Sequence, residues 1–510
     1  MARGSAPLKR SSLAAQYLDT DDRRLAGQGI AWRLRREGRR WVQTLKSGGT
    51  NALERFEHEV VRPDATYDAM EHAGTPLGDQ LIATLRRSRA DGFELSVRFQ
   101  TEVRRTTRTV RTRGAVVEIS MDEGLLVSAG STVRIREIEF ELISGSAIAM
   151  LALVERWRQR FGLVYDPRSK AERGDRLAEG SPYPPLRKAG RPTYPVQATT
   201  SEAFGAVLDE CLSQISRNAI GLAEGDPSLR VEHVHQLRVG IRRLRSALRS
   251  FEGWTPAPPV ELVASLRALF GSLGMSRDND VLSSGVVAQL AKFGAPALRL
   301  PAGANGPDPI EVITAPDTQR MFLAWIAWRT ALTVESRAQN DDSSIAGGPR
   351  LSDDGASQVE DSVANRVDAG ASPMPRALDD ALALRRSAER RLQRWHRRIV
   401  ADWKSFDQLD MAGLHALRKR IKRQRYAVEF FSPLLRDRKV DRYLNALAAI
   451  QERMGELNDL VVARARYQAL VAADPAAWFA LGWLAARIAD VRALAKPELG
   501  KLANVDPPTH

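Results

Sequence analysis

Cysteine is almost absent from this 510-residue chain, where Cys211 stands alone. A single cysteine excludes an intrachain disulfide and a cysteine-based zinc site, and a reducing cytoplasm fits. Long apolar runs are missing as well. The longest, near Ala147–Val154 and Ala476–Ala486, fall short of the stretch of about 20 residues that spans a bilayer. Residues Met1 to Arg10 lack the apolar core of a signal peptide. No membrane partner is therefore expected. Acidic residues are too few to balance the basic ones: 62 Asp and Glu stand against 76 Lys and Arg, for a net charge of +14. With a pI near 10.2, that excess points to anionic partners rich in phosphate. The length suggests two or three domains with substantial cores.

What is present is a repeat. Val234-His235-Gln236-Leu237-Arg238-Val239-Gly240-Ile241-Arg242-Arg243-Leu244-Arg245 recurs as Leu414-His415-Ala416-Leu417-Arg418-Lys419-Arg420-Ile421-Lys422-Arg423-Gln424-Arg425. The offset between the copies is 415 − 235 = 180 positions, and Phe251 and Phe431 also align. Both copies read as helices. At roughly 100° per residue, His235, Arg238, Arg242 and Arg245 fall in one sector of about 80°. His415, Arg418, Lys422 and Arg425 repeat that sector, and apolar positions (Leu237, Ile241, Leu244; Leu417, Ile421, Val428) form a stripe beside it. Solvated basic faces usually carry acids one turn away. Neither sector contains an acid until Glu429, so each offers a cationic face to an anion.

These two His-x-x-Arg-x-x-x-[Arg/Lys]-Arg-x-Arg helices resemble the CHAD domain, over about residues 198–500. Segments Gly274-Met275-Ser276-Arg277-Asp278 and Gly455-Glu456-Leu457-Asn458-Asp459 follow the two signature helices in the same pattern. The resemblance implies an all-α domain of two similar halves that binds inorganic polyphosphate through a basic surface. It makes His235, Arg238, Arg242, Arg243, Arg245, His415, Arg418, Lys422, Arg423 and Arg425 the polyphosphate-binding candidates. No cofactor is implied for this domain.

Ahead of that region, residues from about 15 to 145 alternate as strands do. Arg33 and Arg35 share a face of Ile30–Arg35; Trp41–Lys46 follows across a turn containing Gly38, as in a hairpin. Arg55, Glu57 and Glu59 alternate with Phe56, His58 and Val60. Glu118, Ser120 and Asp122 alternate with Val117, Ile119 and Met121, and Glu137, Glu139 and Glu141 with Ile138, Phe140 and Leu142. Alternation alone allows either an antiparallel sheet with one solvated face or a barrel with charges inside.

Tyr17-Leu18-Asp19-Thr20, Arg33-x-Arg35, Thr44-Leu45-Lys46, Arg55-x-Glu57-x-Glu59, Ile138–Leu142 and Ser169-Lys170-Ala171-Glu172-Arg173-Gly174 resemble, in order, a CYTH domain of the triphosphate tunnel metalloenzymes. That family has an antiparallel β-tunnel acting on triphosphates with Mg²⁺ or Mn²⁺. The resemblance implies that Arg33, Arg35, Lys46, Arg55, Arg105, Lys170 and Arg173 hold phosphates, and that Glu57, Glu59, Glu118, Glu137, Glu139 and Glu141 hold metal or position water. The family's opening Glu-x-Glu-x-Lys strand has no counterpart in the sequence. The expectation is a β-tunnel over 1–176 that lacks its opening strand.

The remaining elements read in order. Met150–Gly162 is a helix; 177–197 is a proline-rich, extended linker; 198–500 is the helical domain; 501–510 is a tail. Ser201 is the expected cap of a helix over Ala203–Leu222, and Glu261–Leu273 a helix ending at Gly274. Residues 338–375, polar and poor in aromatics, read as a disordered insert. Cys211 belongs to the core, and His233 to the surface. The Arg-rich helix from Arg376 extends the basic surface or is merely solvated, and Asp278 and Asp459 sit at helix junctions.

Three functions follow in order of expectation. The first is polyphosphate binding by both stripes, steeply salt-dependent and stronger as His235 and His415 become protonated. The second is a metal-dependent inorganic triphosphatase acting in the β-tunnel. Nucleic-acid binding comes last, because base stacking needs aromatics in the basic face and only Tyr426 falls there. The first reading places the protein in the cytoplasm, where polyphosphate granules would be its site.

Overall fold

The alternating segments become neighbours in one antiparallel sheet. The computed structural model describes residues 7–48, 53, 55–128, 130–281, 286–296, 306–345 and 376–509. Seven strands, β1 (Lys9–Thr20), β2 (Ile30–Glu37), β3 (Arg40–Gly48), β4 (Arg55–Arg62), β5 (Leu95–Thr112), β6 (Ala115–Ser128) and β7 (Ser131–Gly145), line up in the order β4-β3-β2-β1-β5-β6-β7. Strand β1 is central. It begins well before Tyr17, pairs with both β2 and β5, and carries no Glu-x-Glu-x-Lys run. Gly38, with φ 64°, turns the β2–β3 hairpin in the left-handed conformation that glycine adopts without strain.

The sheet is strongly curved. Strands sit about 4.8 Å apart, so five steps would separate β3 from β7 by about 24 Å in a flat sheet. Yet Lys46 on β3 acts electrostatically on Glu139 of β7, and Glu57 on β4 acts on Glu141. The sheet therefore wraps into a trough with its charged side inward. No ladder joins β4 to β7 among the described residues, so the trough is open along that side.

Apolar residues on the convex side take two covers. Leu18, Ile30, Trp32 and Leu45 pack on Leu77 and Leu81 of α2 (Pro76–Ala90), beside the short α1 (Arg24–Gly27). Val117 and Ile119 pack on Met150 and Leu153 of α3 (Ala147–Phe161). Inside the trough, α4 (Lys170–Ala178) lays Leu177 and Ala171 over Leu13, Ala15, Tyr17 and Phe99. Its start is fixed by a capping box between Ser169 and Glu172. Gly174 is required by close approach: a Cβ there would come within 2.1 Å of the Phe99 ring.

The proline-rich segment carries no regular element, but it is docked along the helical domain. Asn218 Nδ2 donates to the Arg187 carbonyl at 2.8 Å, and the Tyr194 hydroxyl donates to the Phe430 carbonyl at 2.7 Å. The helical domain comprises α5 (Thr200–Glu224), α6 (Arg230–Ser250), α7 (Val260–Val281), α8 (Ala288–Lys292), α9 (Pro309–Thr314), α10 (Pro316–Ile345), α11 (Arg376–Lys404), α12 (Met411–Phe431), α13 (Asp437–Leu470) and α14 (Ala477–Ala503). Helices α6 and α12 are the two signature helices. Their apolar stripes lie in one core, where the aligned Phe251 and Phe431 meet at 5.1 Å between ring centroids. An aromatic pair of this kind adds about 1 kcal/mol to the burial itself.

Several expectations are corrected here. Thr199, not Ser201, caps α5, because Glu202 can return the bond to it. Helix α7 runs through Gly274, and α13 through Gly455, so neither glycine marks a junction. His233 is fully buried, with Nδ1 3.1 Å from Asn218 Oδ1. The insert expected at 338–375 is helical to Ile345, and 346–375 lies outside the described residues. Cys211 is buried as expected, and burial pushes its thiol up to about 12. Among the described residues, no helix is long and apolar enough to cross a membrane.

The two domains touch. Leu151 of α3 packs on Leu323 and Ile326 of α10, the Tyr165 amide donates to Gln319 Oε1 at 2.8 Å, and Glu172 of α4 pairs with Arg217 of α5 at 2.7 Å.

Candidate functional site

Two charged surfaces result. The first is the concave face of the trough. Strand alternation puts Arg33, Arg35, Lys46 and Arg105 on that face, and α4 adds Lys170 and Arg173. Arg55 begins β4 opposite Gly48; its side chain lies outside the described residues. At the β2–β4 side, Arg33 pairs with Glu57 at 3.8 Å and Glu59 at 3.6 Å, and Lys46 with Glu57 at 2.6 Å. Burial lowers the Lys46 ammonium from its ordinary value, and neighbouring Arg33 lowers it further. Burial and Arg33 do the same to Arg35. Cations this close repel one another, and an anion between them would relieve that repulsion.

At the β6–β7 side the balance is acidic. Asp122, Glu137 and Glu139 bring one carboxylate oxygen each within 4.8 Å of one another. Lys170 Nζ sits among all three, 2.7 Å from Asp122 and 2.8 Å from Glu139. Arg105 grips Asp122 with two bonds of 2.7 Å and reaches Glu139 at 2.6 Å; Arg173 holds Glu137 at 2.5 Å. Burial alone would raise the Glu139 carboxyl, but Lys170 and Arg105 outweigh it and hold the group at about 2. An all-oxygen donor set suits Mg²⁺ or Mn²⁺, and Lys170 occupies the place such an ion would take.

The six candidate carboxylates, expected to hold metal or position water, divide between the two sides of the trough. Glu57 and Glu59 serve the β2–β4 cations, and only Glu137 and Glu139 join the close cluster. Glu118 and Glu141 are cross-strand neighbours of like charge. Burial, then Glu118 and Glu57, raises the Glu141 carboxyl. Asp122, fully buried, is the member that the sequence reading left out of its metal candidates. Its alternation with Glu118 and Ser120 was visible, but its pairing with Arg105 depends on the β5–β6 register.

The second surface joins α6 and α12. Arg238, 9% exposed, lies over the Phe270 ring at 4.3 Å and donates to the Phe270 carbonyl at 3.2 Å. Arg242 stands over the same ring at 5.9 Å. Burial lowers the Arg245 guanidinium from its ordinary value, with exposed Arg267 of α7 adding to it, so Arg267 extends the stripe. On α12, His415 Nδ1 lies 3.3 Å from Asn458 Oδ1, and Arg425 bonds Glu429 at 3.0 Å and Gln451 at 3.3 Å. Lys422 is half-buried between them. Burial lowers the Arg418 guanidinium too, with Asp459 opposing the shift and Arg242 adding to it. Arg242 of one stripe therefore stands close enough to act on Arg418 of the other. The Nε donors of Arg242 and Arg418 are buried and find no acceptor among the described residues.

Arg243 and Arg423 do not belong to this surface. Arg243 is 0% exposed: it donates to Gln214 Oε1 at 3.0 Å and to the Gly190 carbonyl, with Glu210 at 3.6 Å and Glu429 at 3.9 Å. Its place among the phosphate contacts is corrected to an internal pin, because the helix turns it about 100° from Arg242 into the core. Arg423 faces α11 instead, 5.5 Å above the Trp395 ring. Tyr426 is buried, stacked on Phe430, and so gives no platform for a base.

The CHAD domain family model matches residues 206–468, and the CYTH domain family model matches residues 5–174. Over 162 residues the chain is 28% identical to a protein named inorganic triphosphatase from Haemophilus influenzae, covering 32% of this chain and 45% of that relative. The chain thus spans less than half the length of this curated relative. The crystal structure of the CHAD domain from the plant Ricinus communis covers 64% of this chain and 99% of its own, at 28% identity and a TM-score of 0.45. With more than half of its residues matched by that family model, the chain belongs to the CHAD domain family, and a CYTH domain precedes its helical domain.

Proposed function

We propose that this protein binds inorganic polyphosphate along the joined stripes of α6 and α12. The observation that carries the reading is the convergence of Arg242 and Arg418, whose buried Nε donors find no acceptor among the described residues. A buried donor left unpaired costs about 1–3 kcal/mol, and a chain of phosphate oxygens removes that cost. Arginine's planar fork suits the bidentate grip. His235, Arg238, Arg245, Lys422 and Arg425 line the path on either side, and His415 stands at its α12 end. Binding should fall by roughly 10³-fold or more between 50 and 200 mM salt, as counterions compete with the protein. Protonation of His235 and His415 should strengthen it at acid pH. Retention of long polyphosphate on a filter is expected to vanish in R242E/R418E. Unchanged retention in that variant would falsify the reading. In the cell, the same binding would put the protein on polyphosphate granules in the cytoplasm.

A second reading, metal-dependent hydrolysis of triphosphate, is favoured by the trough. Arg33, Arg35 and Lys46 would hold phosphate oxygens, and Asp122, Glu137 and Glu139 would hold Mg²⁺ or Mn²⁺, displacing Lys170 toward the substrate. The ion would supply Lewis-acid activation of phosphoryl or water oxygen. Phosphate release from triphosphate with either metal, lost in E139Q, is the expected result. Chains left unshortened with both metals would end this reading and leave polyphosphate binding standing.

A further inference from the structure

The second signature helix carries cations on two sides. On α12 the stripe of His415, Arg418, Lys422 and Arg425 is centred roughly 150° from Arg420 and Arg423. The stripe faces α13 through Asn458 and Gln451. Arg420 and Arg423 face α11, where they and Arg398 line a small cleft of about 20 Å³ against Trp395.

Charge in this pocket is not balanced. Arg420 bonds Asp402 Oδ2 at 2.5 Å, and Arg249, at the end of α6, pairs with exposed Glu252 at 3.6 Å. Among the described residues, neither Arg398 nor Arg423 pairs with a carboxylate. Four guanidinium groups therefore meet two carboxylates. Burial lowers the Arg423 guanidinium from its ordinary value, and Arg249, Arg420 and Arg398 press it further, against Glu252. Arg391 shows how such a cation is otherwise settled in this region: it stacks 3.8 Å over Trp254 and donates to the Ser250 and Glu252 carbonyls. Among the described residues, Arg398 and Arg423 bond no such carbonyls.

From this juxtaposition we infer that Arg398, Arg420 and Arg423, walled by Trp395, form a second anion site that takes one phosphoryl group. The pocket is smaller than the roughly 300–1,000 Å³ of sites for drug-sized ligands, so a sugar or base does not fit. Its occupant is a tetrahedral oxyanion. Inorganic phosphate and the terminal phosphoryl of a chain share that chemistry, and arginine forks are matched to both. The site is separate from the stripes and does not depend on them.

Equilibrium dialysis of radiolabelled phosphate and of triphosphate tests this at low ionic strength. In the R242E/R418E protein, with its stripes disabled, a saturable site that depends on Arg398 and Arg423 should remain, beside any triphosphate held in the trough. R398Q, which alters an exposed side chain, and R423Q should each weaken it roughly tenfold or more. Phosphate binding that R398Q and R423Q weaken identifies the free ion as occupant; triphosphate binding that they weaken, without phosphate binding, identifies the chain end, and either supports the site. No saturable binding of either ligand, or binding that survives both R398Q and R423Q with circular dichroism unchanged, would overturn it. Loss of long-chain retention in R242E/R418E reports on the stripes alone, so the two readings fail separately.

Discussion

Helices α6 and α12 carry the same signature, yet their second shared arginine, Arg243 or Arg423, ends in opposite surroundings. Arg243 is buried across the boundary between the halves, with Glu429 of α12 at 3.9 Å. The repeat would send Arg423 to the residue aligned with Glu429, at 429 − 180 = 249, and that residue is Arg249. One half therefore forms a buried attraction where the other meets a repulsion, which Arg423 registers. Nearby Gln424 takes the interior instead, donating to the Leu392 carbonyl and the Tyr443 hydroxyl at 3.1 Å each. A single charge reversal in a duplicated frame separates a structural pin from a pocket. The wider lesson is that a cation's role follows from the carboxylates it meets, as it does in the trough.

The largest expected effect breaks the symmetry of the pair. Arg243→Ala should cost about 3–5 kcal/mol, because it leaves Glu210 and Glu429 beside an uncompensated buried site. Arg423→Ala should cost less than about 1 kcal/mol. Urea denaturation of both variants measures this, and equal losses would abolish the distinction. Next comes the helix that supplies the trough with paired cations. Gly174→Val should cost about 1–3 kcal/mol by overpacking against Phe99. It should also weaken triphosphate binding by displacing Lys170 and Arg173, as titration calorimetry would read.

Smaller effects sharpen the comparison between paired and unpaired charge. Glu139 is held at about 2, below its ordinary 4.5. An unfolded chain takes up that proton first as pH falls, so the stabilisation is complete above about pH 4.5 and is lost toward pH 2. Because the side chain is 45% exposed, solvent screening reduces the effect to about 1 kcal/mol. Thermal melts from pH 5 to 3 should fall less steeply in Glu139→Gln, and parallel curves would remove the pair from the account. Arg249→Glu should restore the symmetry, giving Arg423 a carboxylate. The expected outcome is a gain of up to about 1 kcal/mol, with phosphate binding in the Trp395 pocket suppressed. The smallest change is at Asp459, the acid that faces Arg418. Asp459→Asn should tighten polyphosphate binding a few-fold by removing one opposing charge. Weaker binding would mean that Asp459 orients Arg418.

The sequence by itself determined the elements and their faces. Alternation placed Arg33 with Arg35, and Glu137 with Glu139, on one side of their strands, since backbone pleating leaves no other choice, and the CYTH resemblance added Lys46 and Arg105. Helical periodicity likewise put His235, Arg238, Arg242 and Arg245 in one sector, and the 180-residue repeat revealed the two halves. Periodicity names a face but not what stands opposite it. Only the tertiary structure decided that the sheet curves until Lys46 feels Glu139, that Asp122 joins Glu137 and Glu139 while Glu118 and Glu141 face each other across their strands, and that His233 is inside. It alone sent Arg243 into the core and Arg423 to a pocket. Those outcomes depend on contacts between residues far apart in the chain, where register, burial and the sign of one opposing charge set the free energy.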